Sequence, residues 1–166
     1  MSTSSASPEN PRNRCILVAD DDQGVRELVT ASLSDLGCHV LTAPNGSSAL
    51  EVLRGAAPKI DLLLTDLEMP ELDGLALAKL AKSECLVPRI SVMTGLQLNH
   101  HQARLLHELA IDFLLLKPFR IDDLRQAVLR SLGIESNQQP QPPSTFQAQV
   151  QEEVRPGDNI HQLANA

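Results

Sequence analysis

Apolar residues along this chain fall into two kinds of run. Continuous apolar stretches occupy Cys15–Ala19, Ile60–Leu64, Ile90–Met93 and Phe113–Leu116, with a weaker one at Cys38–Thr42. Each has the length of a strand. Their lack of polar alternation predicts strands covered on both faces, as in a parallel sheet between helix layers. Between these runs, apolar residues recur at helical spacing. Val25, Leu28, Val29, Leu33 and Leu36 form one stripe that stops at Gly37. Ala49, Leu50 and Leu53 form a second before Gly55, and Leu75, Ala78 and Ala81 a third. Leu98, Leu105, Leu106 and Leu109 mark a fourth helix; Ile121, Leu124, Val128 and Leu132 mark a fifth, ending at Gly133. A glycine just past a stripe is a common helix stop, because it enters the left-handed region without penalty. The order βαβαβαβαβα, with right-handed crossovers, predicts an α/β fold: a doubly wound five-stranded parallel sheet with five helices.

The pattern fades at both ends. Residues 1–13, MSTSSASPENPRN, have almost nothing to bury and are expected to be a disordered tail. Residues 134–166 begin with the Gln/Pro run IESNQQPQPPS and are expected to be a linker or tail, leaving 14–133 as the folded domain. Within that tail, Ser144 with Gln147 fits a capping box, and Phe146, Val150 and Val154 recur at i, i+4, i+8. A short amphipathic helix near 144–154 stands there as an alternative to disorder.

Composition narrows the function. Hydrophobic residues make up 42% of the 166 but aromatics only 2%, with no Trp or Tyr, so the core is aliphatic. The formal charge is −7. Both facts argue against direct nucleic-acid binding by base stacking or a basic phosphate-binding surface. No stretch approaches a membrane span, and the N-terminus lacks the apolar segment of a signal peptide. Three cysteines without metal-site spacing read as free thiols in a reducing compartment, so the expected location is cytoplasmic.

In an open α/β sheet, sites form beyond the carboxyl ends of the strands. The first strand is followed by Asp20, Asp21 and Asp22; the third by Thr65 and Asp66; the fourth by Thr94 and Gly95; the fifth by Lys117 and Pro118. The second supplies only Ala43 and Pro44. Carboxylates gathered about 5 Å apart repel by about 3 kcal/mol per pair at an effective dielectric near 20. Such a cluster calls for a divalent cation, and all-oxygen ligands suit Mg²⁺. A carboxylate on that metal, beside a lysine and a threonine hydroxyl, is a phosphoryl-acceptor arrangement. Neither G-x-x-x-x-G-K-[ST] nor G-x-G-x-x-G occurs, so a nucleotide held by a phosphate loop is not expected. Asp22 is placed to cap the first helix, Asp61 lies at the opposite sheet edge, and Asp73 with Gly74 reads as a turn. His100, His101 and His107 lack the i, i+4 spacing of helix-borne metal ligands and read as solvated.

The segments ILVADDD (16–22), LLLTDLEMPELDGL (62–75), SVMTG (91–95) and LLLKPF (114–119) together resemble receiver domains of bacterial two-component response regulators. The resemblance covers 14–133 and implies the flavodoxin-like, CheY-like strand order 2-1-3-4-5. It implies that Asp66 is the phosphoacceptor, served by a histidine kinase or a histidine phosphotransfer protein. It implies Mg²⁺ held by Asp20, Asp21, Asp66 and the backbone carbonyl of Glu68. Thr94 matches the switch hydroxyl and Lys117 the phosphoryl-pairing lysine; Pro118 and Gly74 match supporting positions. The 100–132 face would bind an unidentified downstream protein. The implied function is that of a single-domain response regulator whose only chemistry is its own phosphorylation and dephosphorylation, not a conventional enzyme.

Two departures stand out. The aromatic switch residue often found three positions before the lysine is Leu114 here, with Phe113 one residue earlier. Glu68 adds an acid two residues after the acceptor, with no direction of effect fixed by sequence. Leu114 keeps open a receiver fold that binds partners without phosphorylation. The spacing Asp20-x-Asp22 keeps open a small haloacid-dehalogenase-type phosphatase with Asp20 as nucleophile, although that site needs a second acidic pair which is missing here.

Overall fold

The computed structural model of the protein describes residues 11–55, 58–95 and 97–134, and the candidate tail helix at 144–154 lies outside them. After a 3-10 turn at Pro11–Asn13 the chain alternates strand and helix. The strands are β1 (Cys15–Ala19), β2 (His39–Ala43), β3 (Leu62–Asp66), β4 (Arg89–Thr94) and β5 (Leu114–Leu116). The helices are α1 (Gln23–Ser34), α2 (Gly46–Arg54), α3 (Gly74–Ser83), α4 (His100–Glu108) and α5 (Ile121–Ser131). The sheet has the order β2-β1-β3-β4-β5, and every neighbouring pair is parallel. None of the described helices is long and apolar enough to cross a membrane.

Strand alternation sorts the core into two layers. Leu17, Ala19, Leu63 and Ile90 pack with Ala49 and Leu53 of α2 and Leu77 and Ala81 of α3. Ile16, Val18, Leu62, Leu64 and Met93 pack with Val29 and Leu33 of α1 and Leu124 and Val128 of α5. A smaller cluster of Leu67, Val92 and Leu106 attaches α4. β1 and β3 are buried throughout, as their unbroken apolar runs require. Cys15 and Cys38 are buried in opposite layers, and Cys85 is exposed; all three are free thiols.

Polar residues set the helix starts. The side chains of Asp22, Asn45 and Asp73 accept from the backbone N–H of Val25, Ser48 and Ala76, and Asn99 with Gln102 closes a capping box on α4. Each satisfies a donor that the first helical turn leaves without a partner.

Several elements differ from the sequence pattern. β3 begins at Leu62 rather than Ile60 and runs through Asp66. Asp61 is occupied just before it, accepting from the Cys15 N–H at 2.8 Å and from Arg14 at 3.2 Å. Asp73 and Gly74 do not form a free-standing turn; they cap and begin α3. β5 has only three residues, all half-buried, because it is an edge strand with incomplete helix cover. Leu28 and Ile121 belong to the apolar stripes of their helices yet are 44% and 38% exposed, since Val29, Leu33, Leu124 and Val128 fill the contact with the sheet.

Candidate functional site

The carboxyl ends of β1, β3, β4 and β5 deliver Asp20, Asp66, Thr94 and Lys117 to one edge. Asp20 is fully buried and every one of its polar groups is engaged. Its N–H donates to the Ala43 carbonyl at 3.2 Å. Oδ1 accepts from the Asp22 N–H at 3.0 Å, Oδ2 from Lys117 Nζ at 2.7 Å, and the carbonyl oxygen from Arg26 Nη1 at 2.7 Å. Asp21, next in the chain, is exposed.

Asp66 closes β3 and is 6% exposed. Its Oδ1 accepts from the Glu68 N–H at 3.2 Å and its Oδ2 from Lys117 Nζ at 2.5 Å. Two neighbours fix its backbone. Thr65 Oγ1 donates to the Asp66 carbonyl at 2.9 Å. Gly74 packs so closely that an added Cβ would overlap that same carbonyl oxygen. Thr94 ends β4, fully buried, and its carbonyl accepts from the Lys117 N–H at 2.8 Å. The Lys117–Pro118 peptide is cis. Leu114, three positions before Lys117, is half-buried against Leu67, Val92 and Leu106.

Electrostatics follow from this packing. Burial raises the Asp20 carboxyl above its ordinary range, with the Lys117 bond opposing. Burial alone would lower Lys117, but its bonds to Asp20 and Asp66 outweigh burial and hold its ammonium above the usual value. Ligand oxygens of Asp20, Asp21 and Asp66 lie within 4.8 Å of one another. Three carboxylates against the single Lys117 ammonium leave two negative charges in the group. An all-oxygen donor set with that residual charge fits a hard divalent cation. The Glu68 side chain is exposed and outside this group, while its N–H bond to Asp66 sets its peptide at the rim. A cleft of about 630 Å³ opens beside Asp21, lined by Leu67, Glu68, Met69, Asp73 and Gln102.

The structure thus brings together Asp20, Asp21, Asp66 and Lys117, with Thr94 on the adjoining strand. His100, His101 and His107 are exposed on α4 and outside the acidic group. The sequence pattern does not reveal Arg26 or Gly46, and it places Thr65 at this edge without showing its role. Arg26 and Thr65 act on main-chain oxygens, which no side-chain motif reveals. At Gly46 an added Cβ would overlap the carbonyl oxygen of Leu72, in the loop after Asp66, a contact between segments remote in sequence.

Comparison with known proteins agrees with this geometry. Residues 16–129 match the response regulator receiver domain family. The sporulation initiation phosphotransferase F of Bacillus subtilis is 31% identical over 131 residues, covering 75% of this chain and 98% of that protein. The two-component response regulator ARR12 of Arabidopsis thaliana is 34% identical over 119 residues, covering 70% of this chain but 20% of that protein. The chain therefore spans only about a fifth of the plant regulators it matches, and about half of a probable transcriptional regulator of Cyanidium caldarium. Among solved structures, a receiver domain protein of Clostridium thermocellum superposes with a TM-score of 0.64 at 26% identity, covering 72% of this chain and 94% of that one. The response regulator TrrA of Thermotoga maritima, solved in complex with Mg(2+)-BeF, gives 0.59 at 31% identity, covering 70% and 97%. From its parallel sheet, its acidic edge and these matches, the chain belongs to the response regulator receiver domain family.

Proposed function

We propose that this protein accepts a phosphoryl group on Asp66 in a Mg²⁺-dependent reaction, donated by the phosphohistidine of a sensor kinase or phosphotransfer protein. The observation that carries this reading is the buried Asp66 carboxylate, bonded to Lys117 and grouped with Asp20 and Asp21. Response regulator relatives support kinase or phosphotransfer partners, and the TrrA complex supports the metal.

Asp20, Asp21 and Asp66 would hold the cation through carboxylate oxygens, with the Glu68 carbonyl as a further ligand. When bound, Mg²⁺ neutralises the carboxylates and the incoming phosphoryl oxygens. One Asp66 oxygen attacks phosphorus, the P–N bond to the donor imidazole breaks, and its electron pair stays on that nitrogen. Lys117 already lies against Asp66 and pairs with the phosphoryl charge as it arrives. The Thr94 hydroxyl, at the end of the neighbouring strand, donates to a phosphoryl oxygen. Burial of Asp66 and Thr94 limits competing water.

Output would run through the 100–132 face to a downstream protein in a cytoplasmic, bacterial two-component pathway. The domain's chemistry would be confined to its own phosphorylation and dephosphorylation. Leu114, packed as an aliphatic residue with no polar end, favours a second reading: an adaptor whose binding ignores phosphorylation.

The test is incubation with Mg²⁺ and phosphoramidate, read by intact mass. One added phosphoryl group is expected, lost in Asp66→Asn. Label that survives Asp66→Asn but not Asp20→Asn would replace this reading with the phosphatase one. A phosphorylated protein whose amide shifts on α4, β5 and α5 stay unchanged would favour the adaptor.

A further inference from the structure

We infer that Arg26 is a positioning residue for the metal-binding acid pair, holding the turn from which Asp20 and Asp21 both project. This rests on the Mg²⁺-dependent reading above.

Ala19 is the last residue of β1 paired with its neighbours, opposite Ala43 and Thr65. The Asp20 carbonyl therefore lies past the end of the ladder. Arg26 Nη1, from the end of the first turn of α1, donates to it at 2.7 Å. That carbonyl belongs to the planar peptide joining Asp20 to Asp21. Fixing its oxygen fixes the plane, and with it the direction in which Asp21 leaves the chain. Asp20 has other restraints, through Ala43, Asp22 and Lys117. Asp21 is exposed, and the peptide plane sets the direction of its N–Cα bond.

The guanidinium suits this task. Arg26 is a half-buried residue and lines a groove with Gln23, Glu27, Thr30 and Thr42, between α1 and the end of β2. A charge-assisted bond to a carbonyl is stronger than a neutral one. The same charge, however, stands near a cation site and repels the cation. Position and charge therefore push metal affinity in opposite directions. If Arg26 acts by charge alone, its removal tightens Mg²⁺ binding. If it acts by position, its removal loosens binding.

The experiment is Mg²⁺ titration of the full chain, followed by calorimetry and by the amide shifts of Asp21–Gln23. The variants are Arg26→Ala, Arg26→Gln and Arg26→Lys, with Arg125→Ala as control. Arg125 also bonds a helix carbonyl, that of Ser32, but outside the acidic group. Arg26→Ala and Arg26→Gln should bind Mg²⁺ about tenfold more weakly, the lower end of losses seen when a partner behind a metal ligand is removed. Arg26→Lys, which retains a charged donor, should recover most of the affinity. Arg125→Ala should leave it unchanged at comparable loss of stability. Tighter or equal binding in Arg26→Ala overturns the inference while the metal reading stands, as does an equal loss in Arg125→Ala. A wild-type chain that binds no Mg²⁺ overturns both.

Discussion

Lys117 Nζ lies 2.5 Å from Oδ2 of Asp66, although the two residues are 51 positions apart in the chain. The same ammonium reaches Asp20 at 2.7 Å. One cation thus bridges the ends of β1 and β3 from the end of β5, and the acceptor is paired before any donor arrives. The contact ties stability to function, because the group that would receive phosphoryl charge also relieves carboxylate repulsion in the resting fold.

That bond predicts an alkaline signature. A lysine held above its ordinary value near 10.5 contributes stability that is whole below that value. The contribution is lost as pH rises through the folded-state value. The chain has no tyrosine to titrate in the same window. The buried thiols of Cys15 and Cys38 are raised as well, so they lose stability in the same direction. The Lys117→Gln variant isolates the lysine. Urea unfolding should show wild type losing its advantage over Lys117→Gln above about pH 10. A constant difference between them up to about pH 12 would contradict the paired ammonium.

Asp20 shares that pH direction, but its ionised form costs stability where that of Lys117 supplies it. Burial raises its carboxyl, so the folded state holds the proton more tightly than the unfolded chain does. Its contribution is present below the ordinary value of 3.8 and is lost as pH rises through the folded-state value. Asp20→Asn removes that cost at neutral pH while keeping an oxygen to accept from Lys117. Without metal, the variant should be more stable than wild type by about 0.5–2 kcal/mol at neutral pH, with the gap closing toward acid. It should also bind Mg²⁺ more weakly. Chelator-treated protein unfolded in urea at the two pH values checks this, and a less stable Asp20→Asn at neutral pH would refute it.

The sequence makes the acidic edge legible because chemistry-bearing residues directly follow apolar strands. Asp20, Thr94 and Lys117 needed only the topology to meet. What stayed hidden lies in the backbone. Arg26 bonds a carbonyl, and an arginine on a helix looks the same whether it faces solvent or a main-chain oxygen. β5 reads as doubly covered because Phe113–Leu116 is all apolar, but its place at the sheet edge is set by topology, not by its own residues. Leu28 and Ile121 show a related limit. A periodic stripe can be wider than the surface that receives it.

Ser91 in β4 is fully buried, and its Oγ has no hydrogen-bond partner among the described residues. A buried hydroxyl without a partner keeps its desolvation cost. Ser91→Ala should therefore stabilise the domain by about 1 kcal/mol, with no change in phosphorylation rate. Its urea midpoint should rise at constant slope. A fall of similar size would mean that the hydroxyl is bonded in solution.

Gly74 offers the sharpest steric test. Its missing side chain lets the start of α3 close onto the acceptor: its N–H donates to the Leu67 carbonyl at 3.0 Å, and a Cβ would strike the Asp66 carbonyl oxygen. Backbone cannot retreat as a flexible side chain can, so Gly74→Ala must displace either α3 or the end of β3. The expected cost is about 1–3 kcal/mol, as for other overpacked sites. Phosphorylation by phosphoramidate should slow as well, because Asp66 moves with its own carbonyl. Gly95 is the matched control. It follows Thr94 at the same sheet edge, yet an added Cβ there meets nothing within 4 Å. Gly95→Ala should stay within about 0.5 kcal/mol of wild type. Equal stabilities for the two variants would show that the Gly74 contact does not constrain the acceptor.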